Sequence, residues 1–192
     1  MARTKGKPGL ASRIGRPLLA GALAAGAAGS MPAAADVFLK LDGITGDATD
    51  TKHKGEISIL SYSQSFSNSA AISPGTTGGP GRVTCGAMTF LKNIDSSSPD
   101  LIAHVIKGTH VPNGLITFRK VGESPIEYYR ITLTDVVVTA IDQTDQADPA
   151  TIIEKVSMIA DRFLFEYTAV DATGQPAGTT KFGWDCALNK KF

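Results

Sequence analysis

From residue 37 onward, apolar and polar positions alternate over short stretches separated by clusters of Gly, Pro, Asp and Ser. Period-two alternation bounded by turn residues predicts strands. The first covers 37–41, after which Asp42-Gly43, Gly46 and Asp47 open a loop running to about Gly55. In the next strand, Ile57, Ile59, Ser61 and Ser63 share one face, and Glu56, Ser58, Leu60 and Tyr62 the other. Neither face is purely apolar, which suits a strand partly covered by another subunit or lining a wet channel. Residues 68–81 carry Pro74, Gly75, Gly78, Gly79, Pro80 and Gly81, so they predict an irregular loop. Strand character returns over 82–92, where Gly86 marks a bulge or a close backbone approach.

The alternation then gives way to a helical signature. Ser98 is the expected N-cap, Pro99 opens the helix and Asp100 sits in its positively polarised first turn. Leu101, Ile102, Val105 and Ile106 form one apolar stripe, and Gly108 stops the helix after about ten residues. Four β stretches follow, at 115–120, 126–138, 151–170 and 179–188, linked by a polar connection at 142–149 and a turn-rich one at 171–178. Tyr129, Ile131 and Leu133 alternate with Arg130, Thr132 and Thr134, so one face is buried and the other wet. The 151–170 stretch is long enough to need a bulge or bend near Ala160–Arg162. Many short strands with one helix, and no internal repeat or linker, predict a single mainly β domain, a small sandwich or barrel.

Composition changes this picture chiefly at the front of the chain of 192 residues. Residues 1–35 hold Arg3, Lys5, Lys7, Arg13 and Arg16 without an acid, then an apolar small-residue run at 18–29, then Ala33-Ala34-Ala35. That is the layout of a secretory signal, too short and too rich in Gly and Ala for a membrane span. A start at Met31 would instead leave a short lead into the first strand, and a retained extension is the third reading. Arg13 and Arg16 are not adjacent, so the twin-arginine export signal is missing. Without those five cations, 36–192 carries 14 basic and 18 acidic residues and is mildly acidic. Its Lys and Arg are scattered, which excludes a basic stripe for nucleic acid. Cys85 and Cys186 show no metal-ligand spacing. Two buried free thiols are the blander reading, and a disulfide gains weight if the chain is exported.

Catalytic patterns are missing. The serines lie in polar loops without a G-x-S-x-G elbow, and His53, His104 and His110 have no zinc-protease spacing, so each is expected to be solvated or capping. The glycine run at 75–81 precedes a strand, where a phosphate loop requires a helix N-terminus. Phe163, Phe165 and Tyr167 alternate along a strand and read as core or interface packing. No enzyme activity, cofactor or metal is expected.

The opening unit, Asp36-Val37-Phe38-Leu39-Lys40-Leu41-Asp42-Gly43 through Lys52-His53-Lys54-Gly55-Glu56-Ile57 to Leu60-Ser61-Tyr62-Ser63, resembles the start of the Hcp family. These haemolysin-coregulated proteins are the ring-forming tube subunits of type VI secretion. Further segments look similar in order and spacing: Gly81-Arg82-Val83, Thr89-Phe90-Leu91-Lys92, Asp95-Ser96-Ser97-Ser98-Pro99, Gly108-Thr109-His110, Thr117-Phe118-Arg119-Lys120, Leu133-Thr134-Asp135-Val136-Val137 and Phe182-Gly183-Trp184-Asp185. Each is weak alone, and together they span 36–192.

The resemblance implies a two-sheet β-barrel-like domain with one flanking α-helix, assembled as a homo-hexameric ring that stacks into a tube. Effector cargo would occupy the channel, with spike and sheath components as further partners, and the protein would itself be secreted. The 42–55 loop, with Asp42, Asp47, Asp50, Lys52, His53 and Lys54, matches the family's ring-stacking loop. The following strand would line the channel, with Ser63 and then Ser61 as cargo contacts. Two departures are visible: Tyr62 and Phe66 stand where the family more often has tryptophan, and the front of the chain looks like an export signal. A functional signal would deliver the chain to the periplasm, away from a tube built in the cytoplasm. The alternative is therefore an exported periplasmic or surface Hcp-like β-domain that binds a ligand or partner without forming a tube.

Overall fold

The structure is a computed structural model that describes residues 35–69, 81–122, 125–145, 152–171 and 173–192. Nearly all of the segment 1–35, most of the 68–81 glycine loop and part of the 142–149 connection lie outside the described residues. The elements, in chain order, are β1 (Ala35–Leu41), β2 (Ile57–Ile59), β3 (Ser61–Ser63), β4 (Phe66–Asn68), β5 (Val83–Cys85), β6 (Met88–Asn93), α1 (Ser98–Lys107), β7 (His110–Lys120), β8 (Ile126–Asp145), β9 (Ile152–Val170), β10 (Pro176–Asp185) and β11 (Lys190–Lys191). Among the described residues the domain is mainly β with one helix, as its alternation predicts.

The main sheet runs β11-β10-β9-β8-β7-β1-β2, with β6 attached to β9 and β3 to β6. Its spine is the antiparallel β8–β9 pair, in register from Tyr129↔Tyr167 to Asp145↔Ile152. One edge of β9 serves two partners in turn: Ile153–Met158 pairs with β6 and Arg162–Val170 with β10. The spine therefore runs through both layers, and the sheet folds over on itself. It stops short of a closed barrel, because β2 pairs with β1 and β3 with β6. A second, two-stranded sheet joins β4 to β5.

Leu39, Ile57, Met88, Phe90, Leu101, Ile116, Leu133, Val156, Met158 and Phe163 fill the space between the layers, each 1 % exposed or less. Burying one such side chain stabilises by roughly 1.5–3 kcal/mol. The bend expected at Ala160–Arg162 is a change of face: Ala160 is buried, Asp161 and Arg162 are exposed, and Phe163 is buried again. Opposite, Asp135 adopts φ +54°, and Leu133 and Val136 both point inward. The extra residue lies elsewhere, on β8, where the register shifts between Val138 and Ala140.

Three local expectations need correction, and a fourth, at Gly86, holds. The strand after the loop breaks at Leu60, where the chain leaves β1 and pairs with β6 through Leu60 N–H to Leu91 O, 2.8 Å. Ile57 and Ile59 are consequently buried while Ser61 and Ser63 are exposed, so these four residues do not share a face. Helix α1 begins at Ser98, with Ser97 as N-cap and no capping side-chain hydrogen bond. Its apolar stripe is only partly covered: Leu101 is buried, Ile102 and Val105 are half-buried, and Ile106 is 79 % exposed. Gly86 does mark a close approach, since a Cβ there would sit 2.3 Å from Ser65 Oγ.

Candidate assembly surface

Residues 42–55 form a small hairpin folded back on the body. Gly46 N–H bonds Gly55 O at 2.9 Å, Gly55 N–H bonds Ala48 O at 2.9 Å, and Ala48 N–H bonds Glu56 O at 3.0 Å. Only glycine fits at Gly46, where a Cβ would come 2.5 Å from Glu56 O. Four of the six residues assigned to the stacking loop are engaged within the chain. Asp42 N–H donates to Asn113 O at 3.1 Å, and Asn113 Nδ2 donates to Asp42 Oδ2 at 2.8 Å. Asp47 accepts Ser96 Oγ at 2.6 Å and Ser96 N–H at 3.2 Å, and both bonds hold its carboxyl below the usual range. Asp50 accepts the Lys52 amide at 2.9 Å and pairs with Arg119 Nη1 at 2.8 Å, which lowers it likewise.

His53 is buried, 5 % exposed, which corrects the expectation of a solvated side chain. Its ring stacks on Phe38 at 4.2 Å between centroids, and Nδ1 meets Glu56 Oε2 at 2.9 Å. Nε2 lies 3.6 Å from Glu127 Oε1. Beneath the loop, Arg119 bridges Asp36 and Asp50, each at 2.8 Å, and rests 5.0 Å over the Phe38 ring. Loop and body are thus joined through a guanidinium and an imidazole that both rest on one aromatic residue, Phe38. Lys52 and Lys54 remain exposed, leaving the hairpin tip cationic.

On β3, Ser61 and Ser63 project outward while Tyr62 turns in, with its hydroxyl donating to Gln64 Oε1 at 2.6 Å. Burial pushes the Tyr62 phenol well above its ordinary value, so the side chain stays neutral. The two serines therefore occupy a short polar strand whose pairing with β6 is fixed at Ser61↔Leu91 and Ser63↔Thr89.

Two features are decided only by the tertiary structure. Lys92 is fully buried, and its Nζ reaches Glu154 Oε2 at 2.5 Å, Asp95 Oδ1 at 2.8 Å and Ser98 Oγ at 3.0 Å. Ser98 Oγ also donates to Glu154, at 2.6 Å, which explains why it does not cap the helix. Burial would raise the Glu154 carboxyl, but hydrogen bonds from Lys92, Ser98 and Gln143 outweigh it and leave the group below its ordinary 4.5. The network pins the start of α1 to β6 and β9. The signal in sequence is a charged residue in the buried phase of each strand: Met88, Phe90, Lys92 and Glu154, Val156, Met158.

The second is the cysteine pair. Cys85 and Cys186 form a disulfide with Cα atoms 6.2 Å apart, correcting the free-thiol reading. The topology brings them together because β10 follows the β9 edge to the end of β5, a proximity that a separation of 101 residues conceals.

The nearest approach to an acid–base constellation is His110 Nδ1 against Asp135 Oδ1 at 2.6 Å, with Asp161 hydrogen-bonded to Asp135. Desolvation and the neighbouring Asp135 raise Asp161, while His110 lowers Asp135. This group is exposed, with the His110 and Asp135 side chains 59 % and 42 % accessible. Among the described residues, no three His, Cys, Asp or Glu side chains are placed to hold a metal ion, and no helix is long and apolar enough to cross a membrane.

The folded-over antiparallel sheet with its flanking helix is shared with solved structures of type VI secretion proteins. The family model described as "Type VI secretion system effector, Hcp" matches residues 38–173. Protein hcp1 of Pseudomonas aeruginosa strain PAO1 is 32 % identical over 158 residues, covering 81 % of this chain and 98 % of that protein. The crystal structure of Hcp1 from Salmonella typhimurium superposes with a TM-score of 0.67 at 31 % identity, covering 83 % of this chain and 99 % of the other. A structure described as a type six secretion system protein shares the fold, with a TM-score of 0.78 at 23 % identity over 83 % of this chain and all of its own. The chain belongs to the Hcp family of type VI secretion proteins.

Proposed function

We propose that this protein is a structural subunit of a type VI secretion tube, forming hexameric rings that stack and carry effector cargo in their channel. The observation that carries the reading is the end-to-end match to hcp1, 98 % of whose length aligns with this chain. A tube subunit needs partner-facing surfaces and no reaction centre, and oligomeric rings bury such surfaces through heterologous contacts. The chain supplies exposed apolar residues of the required kind in Leu60, Phe66, Ile106, Tyr167 and Phe182. Ser63 and Ser61 are assigned to the channel wall, where weak polar contacts with cargo are multiplied by ring symmetry. The 42–55 hairpin, with Lys52 and Lys54 at its exposed tip, is assigned to contact with the next ring. Neither role requires a cofactor or turnover, and spike and sheath components would be the further partners. Release through the secretion apparatus would place the protein outside the cell.

Mass photometry of the domain from residue 36 tests the reading: hexamer-sized particles are expected, and monomers alone at micromolar concentration would overturn it. Ser63→Arg should leave the particle size unchanged and reduce cargo retention in a pull-down, and unchanged retention would remove the residue from the channel wall.

One observation favours a second reading. A disulfide between Cys85 and Cys186 suits an oxidising compartment, and so does a cleaved 1–35 export signal. On that reading the domain is an exported relative that binds a ligand or partner without forming a tube. Peptide mapping of the native N-terminus separates the two. An end at Asp36 selects the exported form, and an end at or just after Met31 selects the cytoplasmic tube form.

A further inference from the structure

Beneath the 42–55 hairpin, the outer face of the main sheet is buried where it would otherwise meet water. Leu39 and Leu41 of β1 point into the core, so Phe38 between them belongs to the outer face, yet it is buried. Arg119 of β7, also buried, rests 5.0 Å over the Phe38 ring. The cover is His53, whose ring lies within 8° of parallel to Phe38 at 4.2 Å. The main chain of the same residue holds the hairpin's shape. His53 N–H donates to Asp50 Oδ1 at 3.3 Å, and His53 O accepts the Glu56 N–H at 3.0 Å.

Both ring nitrogens of this buried imidazole face carboxylates. Nδ1 meets Glu56 Oε2, from the hairpin itself, at 2.9 Å. Nε2 faces Glu127 Oε1, from β8 of the body, at 3.6 Å and makes no hydrogen bond. A bulge brings Glu127 there: the β7–β8 register shifts after Phe118↔Tyr129, so Arg119 pairs with Glu127 and Tyr128 is the extra residue. A neutral imidazole carries one N–H, so one nitrogen must turn a lone pair toward a carboxylate. An imidazolium donates to both. The surrounding charges agree with this. Asp36, Asp50, Glu56 and Glu127 gather around the Phe38–His53 stack, and Arg119 is committed to two of them, Asp36 and Asp50, at 2.8 Å each. Asp50 is held below the usual carboxylate range by the Lys52 amide and then by Arg119, and so stays ionised. Lys52 and Lys54, which flank His53 in the chain, are exposed. Glu56 and Glu127 are left to His53.

We propose that His53 is a proton-operated latch: its imidazolium binds Glu56 on the hairpin and Glu127 on the body together, and loss of the proton loosens the 42–55 hairpin from the sheet. Between about pH 5.5 and 8, imidazole is the side chain that ordinarily changes charge, while carboxylates, ammonium and guanidinium groups keep theirs. When the proton leaves, the remaining N–H serves one carboxylate, and the other faces a lone pair across a buried contact. The neutral ring also gives up the attraction of a cation for the Phe38 face. The β8–β9 ladder is made by main-chain bonds that do not involve His53, so it persists in both states. The latch goes beyond the tube reading and stands on the fold alone. On the tube reading the hairpin meets the next ring, so the latch would govern how rigidly it is presented there; mass photometry reports on the rings separately.

The test is native-state hydrogen exchange on the full chain at about pH 5.5 and about pH 8, with each amide's rate divided by its unstructured-chain rate at that pH. Protection of the hairpin amides of Gly46, Ala48, Gly55 and Glu56 should fall about ten-fold or more at the higher pH, while the β8–β9 ladder stays unchanged. Glu127→Gln replaces the carboxylate by an amide that can donate to a neutral Nε2, so hairpin protection at the higher pH should rise to its acid level. His53→Gln has no ring to titrate and should show equal, low hairpin protection at both pH values. If that variant fails to fold, Glu127→Gln against the native chain decides alone. Equal protection of the native hairpin at the two pH values, a step that persists in either variant, or a loss spread over every strand would each overturn the latch.

Discussion

Replacing Lys92 by Met is the sharpest test of what holds the helix to the sheet. The side chain is fully buried, and its ammonium has three acceptors, Glu154, Asp95 and Ser98, at 2.5 to 3.0 Å. Methionine retains most of the volume and removes the charge. Glu154, also fully buried, would keep hydrogen bonds from Ser98 and from Gln143 Nε2 at 2.7 Å but lose its counter-charge. Removing one partner of a buried pair costs about 3–5 kcal/mol, because the desolvated charge left behind has no compensation. For a domain of this size each kcal/mol shifts Tm by about 2–4 °C, so Tm should fall by roughly 6–20 °C. The double variant Lys92→Met/Glu154→Met exchanges the pair for apolar side chains and should recover much of that loss. Urea and thermal denaturation followed by circular dichroism, on wild type, both single variants and the double, close the cycle. A single-variant loss under about 1 kcal/mol, or a double-variant loss equal to the sum of the singles, would show that the charges are not coupled.

The same carboxylate predicts acid sensitivity. Because Glu154 is held below its ordinary 4.5 in the folded chain, the unfolded chain takes up the proton first as pH falls. Its contribution is therefore complete above about pH 4.5 and is lost as pH drops toward the folded value; Tm should fall less steeply below pH 4.5 in Glu154→Gln, and equal slopes would refute the assignment. Gly86→Ala forces a Cβ to within 2.3 Å of Ser65 Oγ and 2.9 Å of Ser65 O, an overpacking that should cost about 1–3 kcal/mol in urea denaturation. Exchanging 47–54 for a short Gly-Ser linker should leave ring-sized particles in mass photometry while abolishing stacked particles in negative-stain images. Loss of the rings themselves would show that the hairpin serves the ring contact instead. Arg119→Ala removes the bridge to Asp36 and Asp50 and should speed limited proteolysis within 49–54, with no change expected at other sites.

The chain's own pattern determined the mainly β class, the single helix and its stop at Gly108, the close approach at Gly86, and membership of the Hcp family. These are local properties: period-two alternation, proline and glycine punctuation, and short segments in a fixed order each carry their physics within a few residues. What needed tertiary structure was every property set by a distant partner. Ser61 and Ser63 separate from Ile57 and Ile59 because the strand exchanges β1 for β6 at Leu60, and a change of partner leaves no mark in the alternation. His53 reads as a solvated loop residue until Phe38 and Glu127 close around it. Lys92 and Glu154 lie 62 positions apart, and each alone breaks the rule for its buried phase; only the β6–β9 ladder, which pairs Lys92 with Glu154, turns two violations into one satisfied ion pair. The disulfide has the same origin, since the reach of Cys85 to Cys186 depends on where β10 runs along β9. Burial and charge pairing are decided by which strands become neighbours, and a chain read one residue at a time carries the alternation of each strand but not the identity of its neighbour.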